Sequence, residues 1–323
     1  MVSADAFAPV AITNRSGFDE SIHFGAVVGL GPSGAIEYAI GDPTTHIYPR
    51  SSNKPMQAVA MLRAGLQLPP DLLAIACASH DGTTLHTDAV QRILAGCGLG
   101  TDSLANTAYM PLDEEAEHAL IRAQQSATPL VMNCSGKHAA MLATCVHNNW
   151  SHDASYLSAD HPLQTAITAT IDDLCAEPHA HIGVDGCGAP AHAMSLVGLA
   201  RAFRSIANGS AGAAGEQVYA AMTGHPIMVG GRTRDVTVFM QHVPGMMAKD
   251  GADGVFAAAF PDGRAVALKI SDGGDRARPP VMVAALRALG IDVSTVEGLV
   301  QEPIMGHGHQ VGIVRAVGGK SAP

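Results

Sequence analysis

Arg50-Ser51-Ser52-Asn53-Lys54-Pro55 stands where the pattern of the chain changes from strand to helix. Before it, Ile22 to Leu30 reads as a strand, Gly31-Pro32-Ser33-Gly34 as a turn and Ala35 to Ile40 as the partner strand. His46-Ile47-Tyr48 reads as a third short strand leading into Arg50. After it, Met56, Val59, Ala60, Leu62 and Leu66 recur at helical spacing from Pro55 to Leu68, where Pro69-Pro70 stops the run. Pro55 suits a first helical turn, whose N–H groups lack partners. The residue before a proline resists the helical region, which puts Lys54 at the edge of that helix.

Working outward, the middle of the chain is rich in alanine, leucine and histidine. Thr87 to Leu99, Asp113 to Ser126, Lys137 to Asn148, Pro162 to Cys175 and Pro190 to Ala207 read as helices. The last third changes character again. Val236 to Val243, Gly254 to Phe260 and Arg264 to Ser271 read as strands, with Pro261-Asp262-Gly263 as a hairpin turn. Pro279 to Leu289 reads as a helix and Gln310 to Val317 as a final strand. The order predicts an α/β chain of the α+β kind. Both ends enter one antiparallel sheet (about 20–55 and 225–320), and a helical subdomain (about 56–224) is inserted between them, within a single domain spanning 1–323. An active site is expected in the cleft between the two parts.

Composition narrows the function. The 323 residues are 47% hydrophobic, enough for a large core. No apolar run is long enough for a membrane helix, and Met1-Val2-Ser3-Ala4-Asp5 has no signal-like pattern, so a cytoplasmic protein is expected. A net charge of -10 without a basic run argues against nucleic acid and anionic membranes as partners. The cysteines at 77, 97, 134, 145, 175 and 187 are expected to be free thiols. Of 19 basic residues only Lys54, Lys137, Lys249, Lys269 and Lys320 are lysine. A lysine kept in an arginine-rich chain suits a task arginine cannot do, such as giving up its proton near neutrality.

Ser51 and Lys54 form a Ser-x-x-Lys, whose spacing brings hydroxyl and amine to one helix face. A lysine held neutral can take the serine proton, and the adjacent Arg50 supplies a charge that lowers the lysine pKa. Cys77-Ala78-Ser79-His80-Asp81-Gly82 ends a short apolar stretch and suits either a catalytic loop or a polar turn. Asn133-Cys134-Ser135-Gly136-Lys137-His138 and Val184-Asp185-Gly186-Cys187-Gly188 each precede a helix pattern. Their cysteines read either as zinc ligands or as buried thiols. Lys269, in Ala267-Leu268-Lys269-Ile270-Ser271-Asp272-Gly273, lies on a strand and points either to solvent or into a cleft.

Five runs in order, Arg50-Ser51-x-x-Lys54-Pro55, Ser79-His80-x-Gly82, Asn133 to His138, Val184 to Gly188 and Leu268-Lys269-x-x-Asp272-Gly273, resemble the asparaginase II family of rhizobial-type L-asparaginases from about residue 20 to 318. The resemblance implies hydrolysis of L-asparagine to L-aspartate and ammonia, and a homodimer with a fold similar to serine β-lactamases and penicillin-binding proteins. It implies two facing Ser-Lys pairs, Ser51 with Lys54 and Ser79 with Lys269, and a zinc site on Cys134, Lys137 and Cys187. Arg50, His138 and Asp185 are the candidates for holding the amino-acid head group. Two departures stand out: Thr83 after Ser79-His80-x-Gly82, and Asp253 in Gly251-Ala252-Asp253-Gly254, where the family commonly has glutamate. The rival readings are a β-lactamase or peptidase and a non-catalytic zinc- or amino-acid-binding relative. On sequence alone Ser51 is the expected nucleophile, so Ser51→Ala should abolish ammonia release from L-asparagine. Full activity of that variant overturns the choice.

Overall fold

The computed structural model describes residues 3–317 and 320–321; the remaining residues of the 1–323 span lie outside the described residues. The chain opens with strands β1 (Ala8–Arg15), β2 (Phe18–Leu30), β3 (Ile36–Ile40) and β4 (His46–Ile47). Helices α1 (Lys54–Arg63), α2 (Pro70–Ala76), α3 (Thr84–Gly96), α4 (Glu114–Arg122), α5 (Ser135–His147) and α6 (Pro162–Cys175) follow. Strands β5 (His181–Val184) and β6 (Pro190–Ser195) then lead into α7 (Leu196–Ala207), α8 (Ala213–Gly224), α9 (Pro226–Gly230) and α10 (Asp235–His242). The chain closes with β7 (Met247–Gly251), β8 (Val255–Ala259), β9 (Ala265–Ile270), α11 (Arg278–Ala288), β10 (Glu302–Gly306), β11 (His309–Ala316) and β12 (Lys320–Ser321). Among the described residues no helix is long and apolar enough to cross a membrane.

Both chain ends meet in one antiparallel sheet of order β10-β11-β1-β2-β9-β8-β7, with β3 and β12 branching from β2. Every residue of β8 is buried, as is the run Ala26–Leu30 of β2. Continuous burial requires cover on both faces of a sheet, and α7 and α11 pack against these strands to supply it. The other helices pack together beside the sheet, α1 on α6, α3 on α5 and α2 on α8.

Several local readings differ from the sequence pattern. Pro190 to Ala207 is not one helix. Its first six residues pair with β4 and with β5, which buries all of them. Ser195 then caps α7: its hydroxyl accepts from Gly198 N–H at 2.9 Å, while Glu177 accepts from both Ser195 N–H and Oγ. Val236 to Val243 has strand-like residues but forms α10. Its buried positions Val236, Thr237, Phe239 and Met240 share one helical face, and Asp235 stands in the first turn. Strand β1 is not legible in the pattern, and neither is β7, whose Lys249-Asp250 pair has the look of a loop; all five residues of β7 are nevertheless buried. The small sheet β4-β6-β5 also places strands inside the segment expected to be helical.

Sheet and helices are joined at Pro49 to Asn53. Arg50–Asn53 form a 3-10 turn that runs directly into α1, with Lys54 helical in spite of Pro55. Edge strand β7 lies against this turn. Ser52 is fully buried and its hydroxyl donates to Lys249 O at 3.1 Å. A Cβ on Gly251 would collide with Pro49 O and stand 2.9 Å from Ser52 Oγ. Only glycine permits this approach. Gly251→Ala is expected to cost about 1–3 kcal/mol of stability. Gly96→Ala, on an exposed helical position with open space around it, should gain about 0.5–1 kcal/mol. Thermal unfolding of the two variants checks both signs.

Candidate active site

Ser79 follows α2 in a turn anchored at both ends. Its N–H donates to Val229 O at 3.1 Å, and its carbonyl accepts from Arg234. The hydroxyl is nearly enclosed, the residue being 5% exposed. Two lysine amines reach it: Lys54 Nζ at 3.2 Å and Lys249 Nζ at 3.0 Å, both from fully buried side chains. Lys54 also donates to Ala78 O and to Cys134 Sγ. Lys249 is bound to the Asp250 carboxylate, whose other oxygen takes Arg234.

Burial lowers the Lys249 pKa to about 8, and the charges of Lys54 and Arg234 push the same way against Asp250, which opposes them. Burial alone would raise the Asp250 carboxyl, but Arg234 and Lys249 hold it far below the carboxylate range. Lys249 therefore exchanges its proton near neutrality while touching a serine hydroxyl, the arrangement a serine nucleophile needs.

The structure revises the expected pairs. Lys54 does not turn to Ser51. Its ammonium crosses to the loop after α2, where a carbonyl, a hydroxyl and a sulfur accept it. Ser51 is half-buried and meets Lys54 through the backbone, the Lys54 N–H donating to Ser51 O. Lys269 does not reach Ser79. Its strand β9 is separated from edge strand β7 by β8, so it lies about 10 Å further into the sheet. The Lys269 ammonium binds Asp253 O instead. Lys249 on β7 takes the place expected of Lys269. The one signal for it in the sequence is its membership of the small set of lysines.

Arg50 adopts a left-handed backbone, φ 53°. Such strain costs roughly 1–3 kcal/mol and persists where surroundings over-determine it. Here its guanidinium bonds Asp185 Oδ1 at 2.9 Å and also the Asp253 carboxylate. Arg50 and Asp185, both expected at the head group, are thus paired to each other. His138, expected beside them, is fully buried under the cysteines. Tyr156 Oη accepts from Ala105 N–H at 3.3 Å and stands 2.8 Å from His138 Nδ1. Burial, with the Lys137 charge, lowers the His138 pKa to about 4. The Thr83 hydroxyl does not hydrogen-bond Ser79: it bonds His86 Nδ1 at 2.8 Å, at the start of α3.

Cys134 and Cys187 are both buried; the Cys134 thiol donates to Asn133 Oδ1 at 2.9 Å, and Lys137 Nζ donates to Cys187 Sγ at 3.1 Å. The adjacent Cys134 thiol and the Lys137 charge favour Cys187 as thiolate, and the proximity of Cys187, with burial, raises Cys134. Among the described residues no three His, Cys, Asp or Glu side chains converge on a point that suits a metal. A site here needs Lys137 as its third donor. Two sulfurs and a nitrogen suit zinc, and His138 Nε2 adds a buried atom without a hydrogen-bond partner. The residues fit the ion, provided that Lys137 releases the proton that Cys187 favours.

A family profile described as L-asparaginase II matches residues 11–316. Comparison with curated proteins gives no match. Among solved structures, the chain is similar to Mglu in its glutamate form, with 12% identity and a TM-score of 0.47, over 82% of this chain and 60% of that one. It is similar to a β-lactamase from Mycobacterium bovis, with 15% identity and a TM-score of 0.39, over 82% of this chain and 94% of that one. It is also similar to a probable glutaminase from Bacillus subtilis complexed with 6-diazo-5-oxo-L-norleucine, with 11% identity and a TM-score of 0.39, over 83% and 85%. The chain spans 63% of the length of the native Mglu structure, less than two thirds of it.

The Lys249 environment gives a direct test. In an NMR titration of the lysine side chains, Lys249 should have its midpoint near pH 8. Removing the opposing carboxylate by Asp250→Asn should move the midpoint down, and removing a repelling charge by Arg234→Gln should move it up.

Proposed function

Because the chain belongs to the L-asparaginase II family, we propose that it is an amidohydrolase that converts L-asparagine to L-aspartate and ammonia, with Ser79 as nucleophile. One observation carries the choice of serine: Ser79 is held between two buried amines, one of them with a pKa near neutrality. In this reading neutral Lys249 takes the Ser79 proton as Oγ attacks the side-chain amide carbon. The charged Lys54 stays beside the oxygen and stabilises negative charge developing there. The proton on Lys249 passes to the leaving nitrogen, which departs as ammonia. Water attacks the resulting ester with Lys249 again as base; the C–Oγ bond breaks, Lys249 returns the proton to Ser79 Oγ, and aspartate leaves. Arg234 and Asp250 are positioning residues: one fixes the Ser79 carbonyl, the other the Lys249 amine.

Zinc belongs to the same proposal, on Cys134, Lys137 and Cys187. Bound there it would supply a fixed positive charge beside the reaction site. Lys54, which touches both Cys134 and Ser79, links that cluster to the nucleophile.

The test is ammonia release from L-asparagine and L-glutamine, before and after chelation. Ser79→Ala and Lys249→Met are each expected to lower the rate by about four orders of magnitude or more. Ser51→Ala should keep a measurable rate. The wild-type rate should rise with pH towards a plateau above about 8, as Lys249 loses its proton. Near-normal turnover by Ser79→Ala returns the role to Ser51. Tight asparagine binding without turnover in the wild-type chain would favour a non-catalytic amino-acid-binding relative.

A further inference from the structure

Lys269, displaced from Ser79, opens onto a different cavity. This cleft, of about 860 Å³, is lined by Asp42, Tyr48, Arg50, His181, Asp253 and Lys269 among others, and Ser79, Lys54 and Lys249 are not part of its wall. Three of the four other lysines have described side chains, and each meets a group suited to its charge or to proton exchange. Lys249 has a carboxylate, Lys137 a thiolate, and Lys54 a serine hydroxyl and a thiol. The half-buried Lys269 ammonium has only the backbone carbonyl of Asp253, and among the described residues no carboxylate lies within ion-pairing distance of it. Partly burying an ammonium with so weak a partner is costly, unless something else supplies the anion.

The surrounding charges specify the anion further. Arg50 stands on the same wall, and its one partner at this end is the Asp253 carboxylate. Asp253 itself is left-handed, φ 57°, in the turn between β7 and β8, which aims its carbonyl at Lys269 and its carboxylate at Arg50. Asp42 lines the same cleft, its carboxylate already ordered by the Thr44 N–H and hydroxyl. Asp272 and Asp275 add a more distant negative field at Lys269. Cations for one carboxylate, carboxylates for one ammonium and a negative background together disfavour phosphate and dianions. They suit a small zwitterion. Tyr48 Oη, hydrogen-bonded to His181 Nδ1 at 2.8 Å, adds a polar group to the lining.

We propose that this cleft binds the zwitterionic head of an α-amino acid, with Lys269 as the carboxylate anchor, at a place separate from the Ser79 hydroxyl. The probe is glycine, which carries the zwitterion and no side-chain amide, so its binding stands or falls independently of asparagine hydrolysis. In equilibrium dialysis with labelled glycine, Lys269→Met should weaken binding about tenfold or more, the loss expected for a charge-assisted hydrogen bond. Lys269→Arg should retain most of the affinity. Methylammonium and acetate, each carrying half of the charge pattern, should bind more weakly than glycine. Unchanged glycine affinity in Lys269→Met overturns the proposal. A crystal of the wild-type chain grown in glycine needs no variant: density on Lys269 is expected, and an empty cleft overturns the assignment. Kinetics then separate two sources of the ligand. A raised KM with unchanged kcat for Lys269→Met identifies the substrate's own head group. Unchanged kcat and KM identify a second amino-acid molecule.

Discussion

One hydroxyl held by two buried lysine amines is the interaction on which the site depends. The amines of Lys54 and Lys249 can be no more than about 6 Å apart if both bond Ser79 Oγ, a spacing at which two unit charges repel by about 3 kcal/mol at an effective dielectric of 20. Such a pair persists only where acceptors surround it or where one amine gives up its proton. Both devices are present. Ala78 O and Cys134 Sγ take Lys54, Asp250 takes Lys249, and burial draws the Lys249 pKa towards neutrality. The repulsion is thereby converted into the property a base requires.

The fold exists around this constraint in a specific sense. Lys54 comes from the first turn of α1, Ser79 from the loop after α2, and Lys249 from the edge strand β7. Their meeting requires β7 to press against the Arg50–Asn53 turn, which the absence of a side chain at Gly251 allows and the Ser52 hydroxyl fastens. From Lys54 the polar contacts continue through Cys134 to Cys187 and Lys137. From Arg50 they run to Asp185 on one side and Asp253 on the other. The candidate reaction centre, the thiol cluster and the Lys269 cleft are thus neighbours on one junction between sheet and helices.

Much of this architecture is legible in the order of the residues. The antiparallel sheet from both chain ends follows from apolar runs bounded by turn chemistry, such as Ala265–Ile270 after Pro261-Asp262-Gly263, and helix α6 begins at the proline and ends at the cysteine that the pattern marks. The segments where pattern and fold disagree share a cause. Met247–Gly251 carries Lys249 and Asp250 in a strand buried on every residue, a pattern that local rules assign to loops. Val236 to Met240 has β-branched residues, and only its packing makes a helix of it. Local propensity is a weak prior that burial overrides.

The sequence by itself determined the inventory: a serine and lysine at the entry to a helix, a second serine in a tight turn, two cysteines and a lysine before helices, and very few lysines in all. It also determined the family. The tertiary structure decided which lysine meets which serine. Spacing along the chain constrains only neighbours within a turn or two of helix, whereas Lys249 and Ser79 are 170 residues apart. Strand order, β9-β8-β7, then selects between Lys269, which the sequence motif favours, and Lys249, which it does not single out. It brings Lys249 to the serine at the sheet's edge, and it leaves Lys269 two strands away, facing a cleft of its own.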